Sequence, residues 1–148
     1  MLFDHDNDDP VRILTDAESW ELLAHARHGR LATHAAGELD IVPINVKAVD
    51  GKLYVRTIPG TKLAELVIDP TVAFEADGVT DDEAWSVVVK GRARMLETSA
   101  EIEAAEAVGI ESWLPALRNI YVEITPEHVE GRHFVLGAEP DSTTARPY

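Results

Sequence analysis

The stretch LDIVPINVKAVDGKLYVRTIPGTKL, residues 39–63, decides the fold. It alternates with a period of two: Val42, Ile44 and Val46 fall on one face, and Ile41, Pro43, Asn45 and Lys47 on the other. Asp50-Gly51 is a tight-turn pair, and Leu53, Val55 and Thr57 resume the alternation, so residues 39–58 read as an antiparallel hairpin. A Pro-Gly turn follows, and a short helix begins near Gly60-Thr61 with Leu63, Leu66 and Val67 on one face. Asp69-Pro70 ends it, because the residue before a proline avoids helical angles.

Working outward, Thr15-Asp16-Ala17-Glu18 opens an earlier helix as a capping box. Trp20, Leu23 and Ala24 supply its apolar stripe, Gly29 its stop, and residues 30–34 form a short strand. Downstream, Val72, Phe74 and Ala76 mark one strand face. A long strand from about Trp85 to Leu96 carries Val87, Val89, Gly91 and Ala93 on one face, with Ser86, Val88, Lys90, Arg92 and Arg94 on the other. Residues 99–109 form an acidic helix opened by Ser99, and Asn119 to Thr125 closes the set with Ile120, Val122 and Ile124 inward. Short strands joined by tight turns, with few helices, predict a mainly β (α+β) fold, a small antiparallel barrel with helical cover. There is no internal repeat or interior linker. The organisation is an acidic N-terminal tail over 1–10, one domain over 11–136 and a polar C-terminal tail over 137–148.

The 148 residues carry a formal net charge of −14, which disfavours nucleic acid and anionic membranes as partners. Without cysteine there are no disulfides, thiolate metal sites or cysteine nucleophiles, in keeping with a cytoplasmic protein. No apolar run approaches the roughly 20 residues that span a bilayer, so no membrane is expected.

The acidity is uneven. Lys47, Lys52, Arg56 and Lys62 outnumber Asp50 between residues 42 and 63, and Lys90, Arg92 and Arg94 stand alone between 86 and 96. Such segments suit a small anionic ligand, or serve as strand-surface charge that protects edges. RTIPGTKL, residues 56–63, favours the ligand: a strand end, a Pro-Gly turn, a helix start, a hydroxyl and two cations make a phosphate cradle. It is not a Walker loop, since the glycine spacing before the lysine is missing.

His25, His28 and His34 lack a carboxylate that would complete a metal shell, and no metal is expected. His128 and His133 flank Gly131-Arg132 without a recognisable pattern. No catalytic side chain stands out, which points to a cofactor as the carrier of any chemistry.

Three segments together resemble the flavin-binding split-barrel family related to pyridoxamine 5′-phosphate oxidase, and cover about half of the chain. They are residues 29–63, then WSVVVKGRA over 85–93, then ITPEHVEGRHF over 124–134 with its Gly-Arg turn. The resemblance is closest to the short actinobacterial-type members. It implies a six-stranded antiparallel split β-barrel and a homodimer with FMN in grooves between the subunits. On it, the strand Val42, Pro43, Ile44, Asn45, Val46, Lys47 runs along the isoalloxazine ring. Arg56, Thr57, Thr61 and Lys62 match positions that hold the FMN phosphate. Trp85 and Ser86 fall where the long strand meets the flavin, with Ser86 replacing the usual glutamine. The substrate-phosphate Tyr, Arg and Ser of true pyridoxamine phosphate oxidases are missing. Residues 100–118 offer only Trp113 and Arg118, and Gly131-Arg132 lacks the preceding tryptophan. Lys47 alone matches a substrate-phosphate lysine. The resemblance thus implies an FMN-dependent oxidoreductase acting on a small organic substrate other than vitamin B6. Other readings are a flavin-binding, redox-buffering module without turnover, or a deazaflavin coenzyme or haem in the same barrel.

Overall fold

The computed structural model describes residues 1–58, 61–111 and 119–137, and only the backbone of Asn7, Thr61 and Lys62. The Pro59-Gly60 turn, the side chains of Thr61 and Lys62, Trp113, Arg118 and residues 138–148 lie outside the described residues. Among those described, the order is β1 (Val11–Leu14), α1 (Asp16–His25), β2 (His28–Ala35), β3 (Glu38–Val49), β4 (Lys52–Thr57), α2 (Thr61–Ile68), β5 (Thr71–Val79), β6 (Glu83–Met95), α3 (Ser99–Val108) and β7 (Ile120–Val135). The strands form one sheet in the order β1-β7-β4-β3-β2-β5-β6, and β6 pairs back onto β7 to close the ring. Every pairing is antiparallel. The six expected strands are present. β1, which sequence periodicity did not mark, pairs with the far end of β7 as a seventh.

Alternation sends one side chain in two into the ring. Leu53, Val55, Phe74, Val87, Val89 and Ile124 are fully buried there and form the main core. α1 packs against β7 and β3, and α2 against β2 and β6, so two helices cover the ring. A second, smaller core lies outside it: Leu96, Ala105, Ile110 and Tyr121 pack with Tyr54, Ile102 and Val108 around α3.

Several local expectations need correction. α1 buries Ser19, Leu22 and Leu23, while Ala24 is exposed. Its capping box is present, but it ends at His25, and Gly29 lies inside β2 rather than at a helix stop. A Cβ on Gly29 would overlap the Phe74 ring and the Glu75 carbonyl, so close packing explains that glycine. α3 is capped by Thr98, whose hydroxyl accepts from the Glu101 N–H, and Ser99 is its first turn. Val67 is 74% exposed, because α2 is too short to seat more than Leu66 firmly. Gly131-Arg132 is no turn: β7 runs straight through it to Val135, and Gly131 lets Ser19 and Leu14 approach. Residues 1–10 make specific contacts with the barrel, through Leu2, Phe3 and His5, instead of extending as a tail.

Candidate functional site

β3 changes partner in its middle. Residues 38–45 pair with β2, residues 45–49 pair with β4, and Asn45 belongs to both ladders, opposite His28 on one side and Arg56 on the other. Before Asn45, the edge of β3 that faces away from β2 has no partner strand among the described residues. This opening is where the barrel splits. It is bordered by Val42, Pro43 and Ile44 and by the end of β4 at Arg56 and Thr57.

The side chains divide by pleat. Ile44 and Val46 belong to the core and so can offer a ligand only their backbone, while Val42 is partly buried against it. Pro43, Asn45 and Lys47 face outward. Pro43 and Lys47 are exposed, but Asn45 is only 7% exposed, a buried polar side chain where alternation predicted a solvated one. Arg56 is half-buried. Its Nη1 donates to the Ile110 carbonyl at 3.0 Å, and its Nε is buried without an acceptor among the described residues. Thr57 is half-buried, with its hydroxyl making one long 3.5 Å contact to the Ile58 carbonyl.

Among the described residues, five other Lys or Arg cations are matched, Arg27 with Glu111 at 3.7 Å being one. Arg12 meets Glu18 at 2.8 Å, and Arg30 meets Glu75 at 2.6 Å and Asp77 at 2.8 Å. Lys52 meets Glu123 at 3.3 Å, and Arg94 meets Glu101 at 2.9 Å and Glu123 at 3.5 Å. The positive stretch over 86–96 is thus partly neutralised across the sheet. Arg56 and Lys47, like Lys90, Arg92 and Arg132, have no carboxylate partner among the described residues, but only Arg56 leaves a buried nitrogen unmatched beside the opening. A buried guanidinium donor left open beside a strand opening fits an anionic group such as a phosphate.

Trp85 and Ser86 do not join this cluster within one chain. Ser86 pairs with Asp77 on β5 and Arg132 on β7, so β5 and β2 stand between it and Asn45. Trp85 packs on Gly78 and lines a separate pocket of about 340 Å³ with Leu2, Phe3 and Leu22.

Three arrangements escaped sequence reading. Arg30 on β2 bridges Glu75 and Asp77 on β5; burial pushes the Glu75 carboxyl up, the Arg30 bond pulls against it, and it stays above its ordinary value. Glu123 accepts from Tyr54 at 3.1 Å and Lys52 at 3.3 Å. Burial raises it, but those bonds and the Lys52 and Arg94 charges outweigh that and hold it low. His133, fully buried, links His5 to Glu83. Partners so distant in sequence leave no local signal. Among the described residues, no three His, Cys, Asp or Glu side chains group as a metal site, and no helix is long and apolar enough to cross a membrane.

The profile of the pyridoxamine 5′-phosphate oxidase family matches residues 15–133. The chain belongs to that family. A Corynebacterium glutamicum protein of known structure is similar, with 37% identity over 88% of this chain and 98% of that one and a TM-score of 0.80. The FAD binding protein from Mycobacterium smegmatis is similar at 33% identity, 84% and 98% coverage and a TM-score of 0.71. An uncharacterized Mycobacterium tuberculosis protein is 43% identical over 86 residues, 58% of this chain and 78% of that one.

Proposed function

We propose that the chain binds a flavin nucleotide, FMN, at the opening between β3 and β4, as a homodimer that oxidises or reduces a small organic substrate. The observation that carries this reading is the buried, unmatched Arg56 Nε beside that opening, with Lys47 unpaired on the adjoining strand, in a chain of net charge −14. Family membership and the similarity to an FAD binding protein support a flavin. Arg56, held by the Ile110 carbonyl, would present a fixed guanidinium to the phosphate. In this reading the Thr57 hydroxyl and, as the sequence pattern implies, the helix start with Thr61 and Lys62 would complete the cradle. The open edge over Val42–Ile44 offers backbone donors and acceptors to a planar ring, and Asn45 and Lys47 flank it. Bound flavin would supply reversible electron transfer, which no side chain here provides.

In such a dimer the second copy would supply Trp85 and Ser86, which lie away from the opening within one chain. Leu39 and Ile41, 81% and 64% exposed on β3, leave an apolar strip that a partner would cover. Pyridoxamine 5′-phosphate itself is not the proposed substrate, since of the residues that hold its phosphate in the resembled family only Lys47 has a counterpart in the sequence.

Competition binding of FMN, FAD, a deazaflavin coenzyme and haem to the purified protein, with light scattering for the oligomer, tests the reading. FMN binding at one per protomer of a dimer supports it. Preference for FAD corrects the nucleotide, preference for deazaflavin or haem overturns it, and flavin binding without turnover on a substrate panel leaves a passive redox module.

A further inference from the structure

Residues 1–9 are tied to the barrel by a chain of hydrogen bonds with an acceptor at each end. The Asp9 carbonyl lies 2.7 Å from His5 Nδ1, His5 Nε2 lies 2.6 Å from His133 Nδ1, and His133 Nε2 lies 3.0 Å from Glu83 Oε2. The Leu2 N–H donates to the same Glu83 oxygen at 2.9 Å. Phe3 stands edge-on to His133, 5.5 Å between ring centroids, with the Arg12 guanidinium over its other side.

The protons can be counted. A carbonyl cannot donate, and Glu83 is held as a carboxylate by the Leu2 N–H first and His133 next. Three contacts between two acceptors and four ring nitrogens therefore need three N–H protons, whereas two neutral imidazoles carry two. With all three contacts made as hydrogen bonds, the docked chain would need one extra ring proton beside the Glu83 carboxylate.

We infer that residues 1–9 are a proton-held latch over the Trp85 pocket, docked while His5 and His133 share three ring protons and released as the third is lost. Leu2 and Phe3 form one wall of that pocket, with Glu21, Leu22, His25 and Trp85 as the rest. Release therefore uncovers Trp85. The other charged groups facing the latch are already committed or point to solvent. Arg12 on β1 bonds Glu18 and the Asp4 carbonyl. His25 on α1 bonds the Glu21 carbonyl, Asp4, Asp6, Asp8 and Asp9 belong to the segment itself, and the amino terminus acts on Glu83.

The sign follows from linkage. The docked state binds more protons than the free segment, so docking weakens as pH rises, about tenfold in its equilibrium constant per pH unit. A fourth ring proton at acid pH would set N–H against N–H between the rings, so docking falls there too. The inference stands apart from the flavin reading.

The test is fluorine NMR of the full chain labelled with fluorophenylalanine. There are three phenylalanines, and Phe3→Leu assigns the Phe3 resonance. As pH rises from roughly 6 to 8, within the range where histidine charge changes, the docked Phe3 signal should decline toward its free position. In His5→Gln the amide still donates to His133 Nδ1 without an extra proton, so the alkaline decline should vanish. A Phe3 signal unchanged over that range overturns the latch. So does a His5→Gln protein that keeps the wild-type pH dependence.

Discussion

Replacing Arg56 by alanine separates the two jobs the structure gives that residue. One is structural: Nη1 holds the Ile110 carbonyl at 3.0 Å, tying the end of β4 to the chain after α3. Losing that bond costs about 1 kcal/mol of stability. The other job is the proposed contact to the flavin phosphate, a charge-assisted bond in a half-buried setting, with Nε buried and unmatched. Removing it should weaken flavin binding by about 1.5–3 kcal/mol, roughly 10- to 150-fold in Kd. Flavin fluorescence quenching measures the affinity, and urea denaturation of the flavin-free protein measures stability. Arg56→Lys should be intermediate, because a single ammonium cannot serve the carbonyl and a phosphate with a planar fork. A folded Arg56→Ala protein with wild-type affinity refutes the assignment. It would leave Arg56 as a strut for Ile110.

Lys62→Ala should also weaken flavin binding by about 1.5–3 kcal/mol, checked by the same titration. Phe74→Ala empties the centre of the barrel and should cost about 3–5 kcal/mol in denaturant unfolding. Glu123 sits below its ordinary value of 4.5 despite burial, so it stabilises the fold above that value. That contribution drains away as pH falls below about 4.5 toward its folded value, and Glu123→Gln should flatten this acid limb of a stability–pH curve.

The hairpin over residues 39–58 was legible because alternation and an Asp-Gly turn are local properties. The buried rows Val72-Phe74-Ala76 and Val87-Val89-Gly91-Ala93 read equally well. β1 was not legible: its Val11 and Ile13 are exposed, and only the edge of β7 makes it a strand. Gly29 and Gly131 looked like punctuation because glycine suits turns. In both cases the demand came from a neighbour in space, Phe74 for one and Ser19 for the other. The same holds for the site. RTIPGTKL announced its cations, but that Arg56 is uncompensated while Lys52 and Arg94 share Glu123 is a property of the assembled sheet. Trp85 and Ser86 were grouped with the cradle by resemblance, and the barrel sets them across β5 and β2 from it.

The central claim is that the opening beside Asn45 and Arg56 takes a flavin phosphate. Isothermal titration of the flavin-free protein with FMN, repeated with riboflavin, tests it most directly. Tight FMN binding at one per protomer, with riboflavin at least about tenfold weaker for want of the charge-assisted contacts, is the predicted result. Equal affinity for both, or no binding of either, contradicts it.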